Sequence, residues 1–283
     1  MNRLTGLTLT LVLAMVLAFP IFTGCGGKPS ATPTEQELPE ILDNAALAVQ
    51  NASSYKFLID TNTAFAANAD SEVEDMSAKL KIAGTANVDD SEMQLIYDID
   101  LSGYLFEYQE GLEVLHGEVY VLADWTYQKT DMPGNDQWVK MLSDVSYDQY
   151  NVIVNELTLL DSPEKVEFIG FENVDGSECY VLKVTANLEN TETWFTEHQM
   201  TADAIYWPEV EPYIGELNFT VWVAEDTSLI NKMDAAMLID FDNPADVPDF
   251  DTMTIGVVME MTDYNEPVTI TLPDEAKNAQ EVT

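Results

Sequence analysis

From Leu38 onward the apolar positions follow two rhythms. Leu38, Ile41, Leu42, Ala45 and Val49 recur at steps of three and four, which predicts an amphipathic helix ended by Asn51 and the "ASS" that follows. The period then falls to two. In "YKFLIDTNTAFAA", Tyr55, Phe57 and Ile59 lie opposite Lys56, Leu58 and Asp60. "MSAKLKIAGTANV" alternates less cleanly. In "SEMQLIYDIDLSG", Met93, Leu95, Tyr97, Ile99 and Leu101 oppose Glu92, Gln94, Asp98 and Asp100, with Ile96 the exception. Such alternation predicts antiparallel strands with one face buried. "GYLFEYQ" and "GLEVLHGEVYVLADWTYQKTD" continue it, punctuated by Gly103, Gly111 and Gly117. "MPGNDQW" predicts a turn, and "WVKM" a short strand or the start of the next element.

The middle changes rhythm. Tyr147, Tyr150, Ile153, Val154 and Leu157 have helical spacing, and Pro163 closes the segment. "KVEFIGFENVDGSECYVLKVTA" predicts a hairpin turning at Asp175-Gly176. "LENTETWFTEHQMTADAIYW" predicts a helix ended by Pro208. Four strands follow, in "GELNFTVWVAED", "SLINKMDAAMLIDF", "TMTIGVVMEMTDY" and "PVTITLP", before a polar tail expected to fray, "DEAKNAQEVT". No βαβ alternation occurs. The expected class is α+β, with a large antiparallel sheet and a few helices on its concave side. A sheet of about ten strands must curl, which makes it a half-open β-barrel around either a filled core or an apolar cavity.

The first residues predict where such a domain works. Arg3 is the only charge before Cys25, and Leu7 to Phe22 is apolar but for Thr and Pro. That is the pattern of a secretory signal, with an uncleaved anchor helix as the alternative. The exit Phe22-Thr23-Gly24-Cys25 resembles the bacterial lipobox, in which the cysteine is lipidated and becomes the first residue; Phe22 stands where Leu is usual. The expected organisation is a signal peptide at 1–24, a Gly/Pro/Ser/Thr-rich tether at 25–37, a domain at 38–273 and the polar tail at 274–283. Acyl chains on Cys25 would hold the domain outside the cytoplasm on the cell membrane, or on an outer membrane in an organism that has one.

Charge narrows the partners. Without residues 1–24 the chain has no Arg and ten Lys against 51 Asp and Glu, a net charge of −41. No basic footprint for nucleic acid exists, and no guanidinium can clamp a phosphate or carboxylate. The acids are spread along the chain, as on a solvated acidic surface. With Cys25 lipidated, Cys179 has no cysteine partner, so no internal disulfide forms, and its place in "ECYVLKV" predicts a small buried hydrophobe. His116 and His198 are far apart, and no zinc spacing, P-loop or G-x-S-x-G is present. Nothing points to catalysis, a cofactor or a metal. "IDFDNPADVPDFD", with Asp240, Asp242, Asp246, Asp249 and Asp251, could offer oxygen ligands to Ca²⁺ but lacks the Gly and terminal Glu of an EF-hand loop. An acidic loop is the plainer expectation.

Three phrases carry a family resemblance: "GEVYVLADWTYQKTD…QWVKM", "VDGSECYVLKV" and "LNFTVWVAEDTSLINKMD…MEMTDYNEPVTITLP". Together they resemble the LolA/LppX/LprG-like bacterial lipoprotein superfamily over residues 38 to 273. The resemblance implies a half-open antiparallel barrel that wraps helices and encloses an apolar pocket for acyl chains. Its members include lipoprotein carriers, glycolipid carriers and envelope-stress sensors, and it carries over no functional residue. It therefore suggests an anchored, non-enzymatic protein that binds a lipid, a glycolipid or lipoprotein acyl chains. The alternative is a surface-displayed interaction or envelope-sensing module with a filled core. A pocket would be lined by inward strand residues Phe57, Ile59, Leu95, Tyr97, Val119, Val121, Val221, Val223, Ile255 and Val257, with Ile153, Leu157 and Trp194 from helices. The Trp and Met residues are further candidates for core or lining, Met because its flexible side chain suits adaptable apolar sites.

Overall fold

A computed structural model describes residues 31–69, 71–72, 74–102, 114–131, 136–142, 153, 157, 159–187, 189–192, 211–214, 217–241 and 250–282. The signal segment with Cys25, Trp194 and most of both central helices expected from the sequence lie outside these residues. So does most of the acidic loop after Asp240.

Helix α1 spans Leu38–Gln50 and buries Leu38, Leu42, Ala45 and Val49, the expected stripe. Pro39 sits in the first turn, where a missing N–H leaves no bond unmade. The Glu37 carboxylate accepts from the Thr34 N–H and hydroxyl at 2.7 and 2.8 Å. Past the last turn, the Asn51 amide donates to the Leu47 carbonyl at 2.8 Å.

The strands are β1 (Ser54–Ala67), β2 (Met76–Asn87), β3 (Glu92–Ser102), β4 (Val114–Leu122), β5 (Trp125–Thr130), β6 (Val139–Leu142), β7 (Lys165–Val174), β8 (Ser177–Thr185), β9 (Asn218–Ala224), β10 (Ile230–Asp240), β11 (Phe250–Thr262) and β12 (Gln280–Glu281). They form one 12-stranded sheet in the order β12-β6-β5-β4-β3-β2-β1-β11-β10-β9-β8-β7. Two meanders, β1 to β6 and β7 to β11, are joined where β1 pairs with β11 in register from Lys56↔Thr262 to Phe65↔Met253. Every pairing is antiparallel except β12 on β6. The sheet curls without closing, and β7 and β12 are its edges. This is the fold class that the alternation predicts. The hairpin turn is at Asp175-Gly176, with both φ angles positive (50° and 91°), as a two-residue type I′ turn requires.

The inner face carries the main core. Its buried members include Phe57, Ile59, Met93, Leu95, Val121, Leu182, Phe219, Val221, Met233 and Met259, together with the α1 stripe and Ile153 and Leu157. Of the described tryptophans, none lies in this core. Trp222 points outward, where its indole donates to Glu172 at 2.7 Å and Lys232 lies over the ring. Trp125 is covered by Lys140, and Trp138 belongs to a second cluster. Among the described methionines, in contrast, Met93, Met233, Met237, Met253, Met259 and Met261 are buried in this core.

Two expectations fail near the C-terminus. "PVTITLP" is not a strand; it is extended without ladder partners. Its prolines at each end remove backbone donors, and its alternation is satisfied by packing instead. Ile270, with Val268 and Leu272, covers Tyr120 and Trp138 on the outer face of the sheet. The tail does not fray: Ala276 is buried in the same cluster, and β12 caps the sheet edge through Gln280 N–H to Trp138 O and Val282 N–H to Lys140 O, at 3.1 and 2.9 Å. Trp138→Ala should destabilise the domain by about 3 kcal/mol, the usual range for removing a packed Trp, measured by urea unfolding. A loss below about 0.5 kcal/mol would mean that this outer cluster contributes nothing to stability.

Tyr264 ties the start of the C-terminal segment to the core. Its hydroxyl donates to the Ile230 carbonyl at 2.6 Å, beside Asn265 N–H to Ser54 O at 2.9 Å and Ser54 Oγ to Glu266 O at 2.6 Å. Burial raises the Tyr264 pKa far above the ordinary phenol value. Burial, and then the Glu118 charge, push Tyr120 up to about 12. An unfolded chain would ionise both near pH 10. Above that the unfolded state binds fewer protons than the folded one, so stability is full below about pH 10 and falls as pH rises. Urea midpoints should therefore fall between about pH 10 and 12, less steeply in Tyr264→Phe. An equal slope in that variant would show that Tyr264 is not the titrating group.

Candidate functional site: the half-covered inner face

Cross-strand register sorts the residues of β1 to β6 cleanly. Rungs such as Tyr97–Ile82–Ile59 and Ile99–Leu80–Thr61 point inward. Rungs such as Asp98–Lys81–Asp60 and Asp100–Lys79–Asn62 point outward. No Asp, Glu, Lys, Arg or His occupies an inward position on β1 to β6, in a chain that is 22% charged. The inward polar groups are few and uncharged: Thr61, Thr63, Thr126, Gln128, Thr130 and the Tyr97 hydroxyl.

Two inward glycines set the local shape. A Cβ at Gly84 would fall within 3.0 Å of three ring atoms of Phe57, its partner on β1. A Cβ at Gly117 would meet the Tyr97 ring equally closely. Each aromatic thus lies flat across a backbone with no side chain. Such aromatic-over-glycine pairs are a device for bending a sheet while keeping its face covered. The Tyr97 hydroxyl reaches over β4 to Thr130 Oγ1 on β5, at 2.8 Å.

Covering is uneven along this face. Under α1 and beside β8 to β10 the inward side chains are closed: Val221, Val223 and Leu182 have 0% exposure. Beyond the Phe57 rung of β1 to β3, Ile59 and Met76 are buried, whereas Leu80, Ile82, Ile99, Leu101, Thr61 and Phe65 are only half-buried. The result is a contiguous apolar strip, bordered by hydroxyls and partly open.

The described residues among the expected lining all face inward. Phe57, Ile59, Leu95, Val119, Val121, Ile153, Leu157, Val221, Val223 and Val257 are buried in the main core. Tyr97 and Ile255 are half-buried against it and border the open strip. Leu80, Ile82, Ile99 and Leu101 are absent from the expected set. The alternation in "KLKI" signals the first two, because it sets Leu80 and Ile82 on the face opposite Lys79 and Lys81.

The outer face has a shallow depression of about 480 Å³ lined by Asp60, Asn62, Lys79, Lys81, Asp98, Asp100, Val114 and Val258. Its charges pair across the strands: Lys81 lies 3.8 Å from Asp60, and Asp98 lies 2.8 Å from His116 on the neighbouring strand β4. These are exposed ladder pairs of small energetic weight. Cys179 is fully buried and unpaired, and burial raises its thiol pKa, the opposite of a reactive cysteine. Among the described residues no group of three His, Cys, Asp or Glu could hold a metal.

No family model matches the chain, and no curated protein matches it. Among solved structures the chain is similar to LprF from Mycobacterium bovis, at 15% identity and a TM-score of 0.47, over 86% of this chain and 99% of that one. It is also similar to the lipoprotein LppX of Mycobacterium tuberculosis, at 14% identity and a TM-score of 0.41, over 84% and 100%. A LolA-superfamily protein from Nitrosomonas europaea aligns over 86% of this chain and 96% of its own, at 13% identity and a TM-score of 0.22.

Proposed function

We propose that this protein is an exported lipoprotein, anchored through acyl chains on Cys25, that holds an apolar ligand (a lipid or the acyl chains of a lipoprotein) against the inner face of its half-barrel. The observation that carries the proposal is the uncharged and incompletely covered inner face of β1 to β3. An acidic domain gains nothing from leaving Leu80, Ile82, Ile99 and Leu101 partly wet. Covering them with an alkyl chain gains about 25 cal/mol per Å² of apolar surface removed from water. No covalent step is needed, so the protein would act as a binder or carrier and not as an enzyme.

A filled-core interaction or sensing module remains the second reading. The closed packing of Val221, Val223 and Ile153, each at 0% exposure, favours it on the β8–β10 side. Photocrosslinking separates the two. A long-chain alkyl ester carrying a diazirine should label peptides containing Leu80, Ile82, Ile99 or Leu101. Labelling confined to outward positions, or none, would favour the module.

A further inference from the structure

The inner face also limits the head of any ligand it holds. We infer that the ligand is a neutral lipid, whose polar part is ester or hydroxyl rather than carboxylate or phosphate. This inference rests on the apolar-ligand reading and sharpens it.

Two independent observations carry it. The first is the absence of any cation among the inward residues of β1 to β6; every lysine of these strands (Lys56, Lys79, Lys81, Lys129 and Lys140) is outward. An anionic head drawn into the strip would be desolvated without a partner, and unpaired buried charge is strongly disfavoured. An ester carbonyl or hydroxyl would instead meet groups of its own kind. Tyr97 and Thr130 bond each other on this face. The inward Thr61, Thr63 and Gln128 side chains have no hydrogen-bond partner among the described residues, so they can donate to or accept from a ligand.

The second observation is the field at the open end. The connection from β1 to β2 carries Glu72, Glu74 and Asp75, and Asp251, the second residue of β11, lies beside the end of β1. An anionic head left outside the strip would therefore sit among carboxylates, on a domain with a large negative charge. Both positions open to an anionic head are unfavourable, one through desolvation and one through repulsion.

Residues 33–283 form a compact unit that contains all the described strands and both described cores, so this fragment is the protein to test. A pyrene-labelled alkyl ester is bound and displaced with dioleoylglycerol or dioleoylphosphatidate, which share their chains and differ in the phosphate. Dioleoylglycerol should displace the probe at a concentration at least tenfold lower, in 0.15 M and in 1 M salt. Long-range repulsion is screened at 1 M, so selectivity that survives there belongs to the uncharged face. Equal displacement, or preference for the phosphatidate, would overturn the inference while leaving the apolar-ligand reading intact. Failure to bind the probe at all would overturn that reading as well. Gln128→Lys and, separately, Thr61→Lys place a cation on the inner face. In whichever variant keeps the parent far-UV spectrum, the gap should narrow at least threefold. An unchanged gap in both folded variants would contradict the assignment to this face.

Discussion

Gly84→Ala is expected to destabilise the domain by about 3 kcal/mol, at the top of the range for overpacking a core, although it adds a single methyl group. The new Cβ would lie inside the space of the Phe57 ring. Phe57 is 4% exposed and packed within the main core, so the ring has nowhere to retreat. The cause can be isolated with a cycle. Phe57→Ala alone should cost about 3–5 kcal/mol by leaving a cavity. The double variant should cost at least 1 kcal/mol less than the sum of the singles, because the methyl group then enters vacated space. Additive losses would show that Gly84 acts through backbone freedom and not through the ring that crosses it.

The second large effect concerns the open strip. Leu80→Asp and Ile99→Asp should lower affinity for an alkyl-ester probe at least tenfold and leave a cooperative urea transition, since both positions are already half-wet. Each puts a charge where an alkyl chain would lie, and the loss of one desolvated apolar side chain plus one buried charge amounts to more than 1.4 kcal/mol. Val221→Asp is the contrasting variant. At 0% exposure, a carboxylate there has neither water nor a partner, and the domain should fail to fold. The informative result is the difference between the two classes. If Leu80→Asp and Ile99→Asp bind the probe with parent affinity while folded, the strip is not where an apolar ligand lies.

The alternation along β1 and β3 made the sheet and its inward residues legible, because a half-buried strand must repeat with period two. The helix α1 was legible for the same reason at its own period. What alternation could not show is which inward residues are sealed and which stay open. Val223 and Leu80 look alike in sequence, yet one lies deep in the main core and the other lies beyond the reach of that cover. That difference depends on long-range placement, not on local pattern. The C-terminal segment departs from its local pattern for a related cause. Val268, Ile270 and Leu272 alternate as a strand does, but bounding prolines turn that alternation toward packing on the outer face. The polar tail carries only Ala276 and Ala279 as apolar anchors, both in the outer cluster, and is tied by backbone bonds to Trp138 and Lys140.

The aromatic-over-glycine pairs were partly visible. Gly84 and Gly117 each interrupt an apolar rhythm, and glycine inside a strand often marks close approach of another group. The partner can be named only once the register Phe57↔Gly84 and Tyr97↔Gly117 is known.

The central claim is that the inner face holds an apolar ligand. Native mass spectrometry of residues 33–283, purified from a bacterial host without detergent, tests it most directly. A bound mass of lipid size is expected, released on denaturation and diminished in Leu80→Asp. A clean mass for the protein alone, with no uptake of added dioleoylglycerol, would contradict it and leave a domain whose inner face only packs.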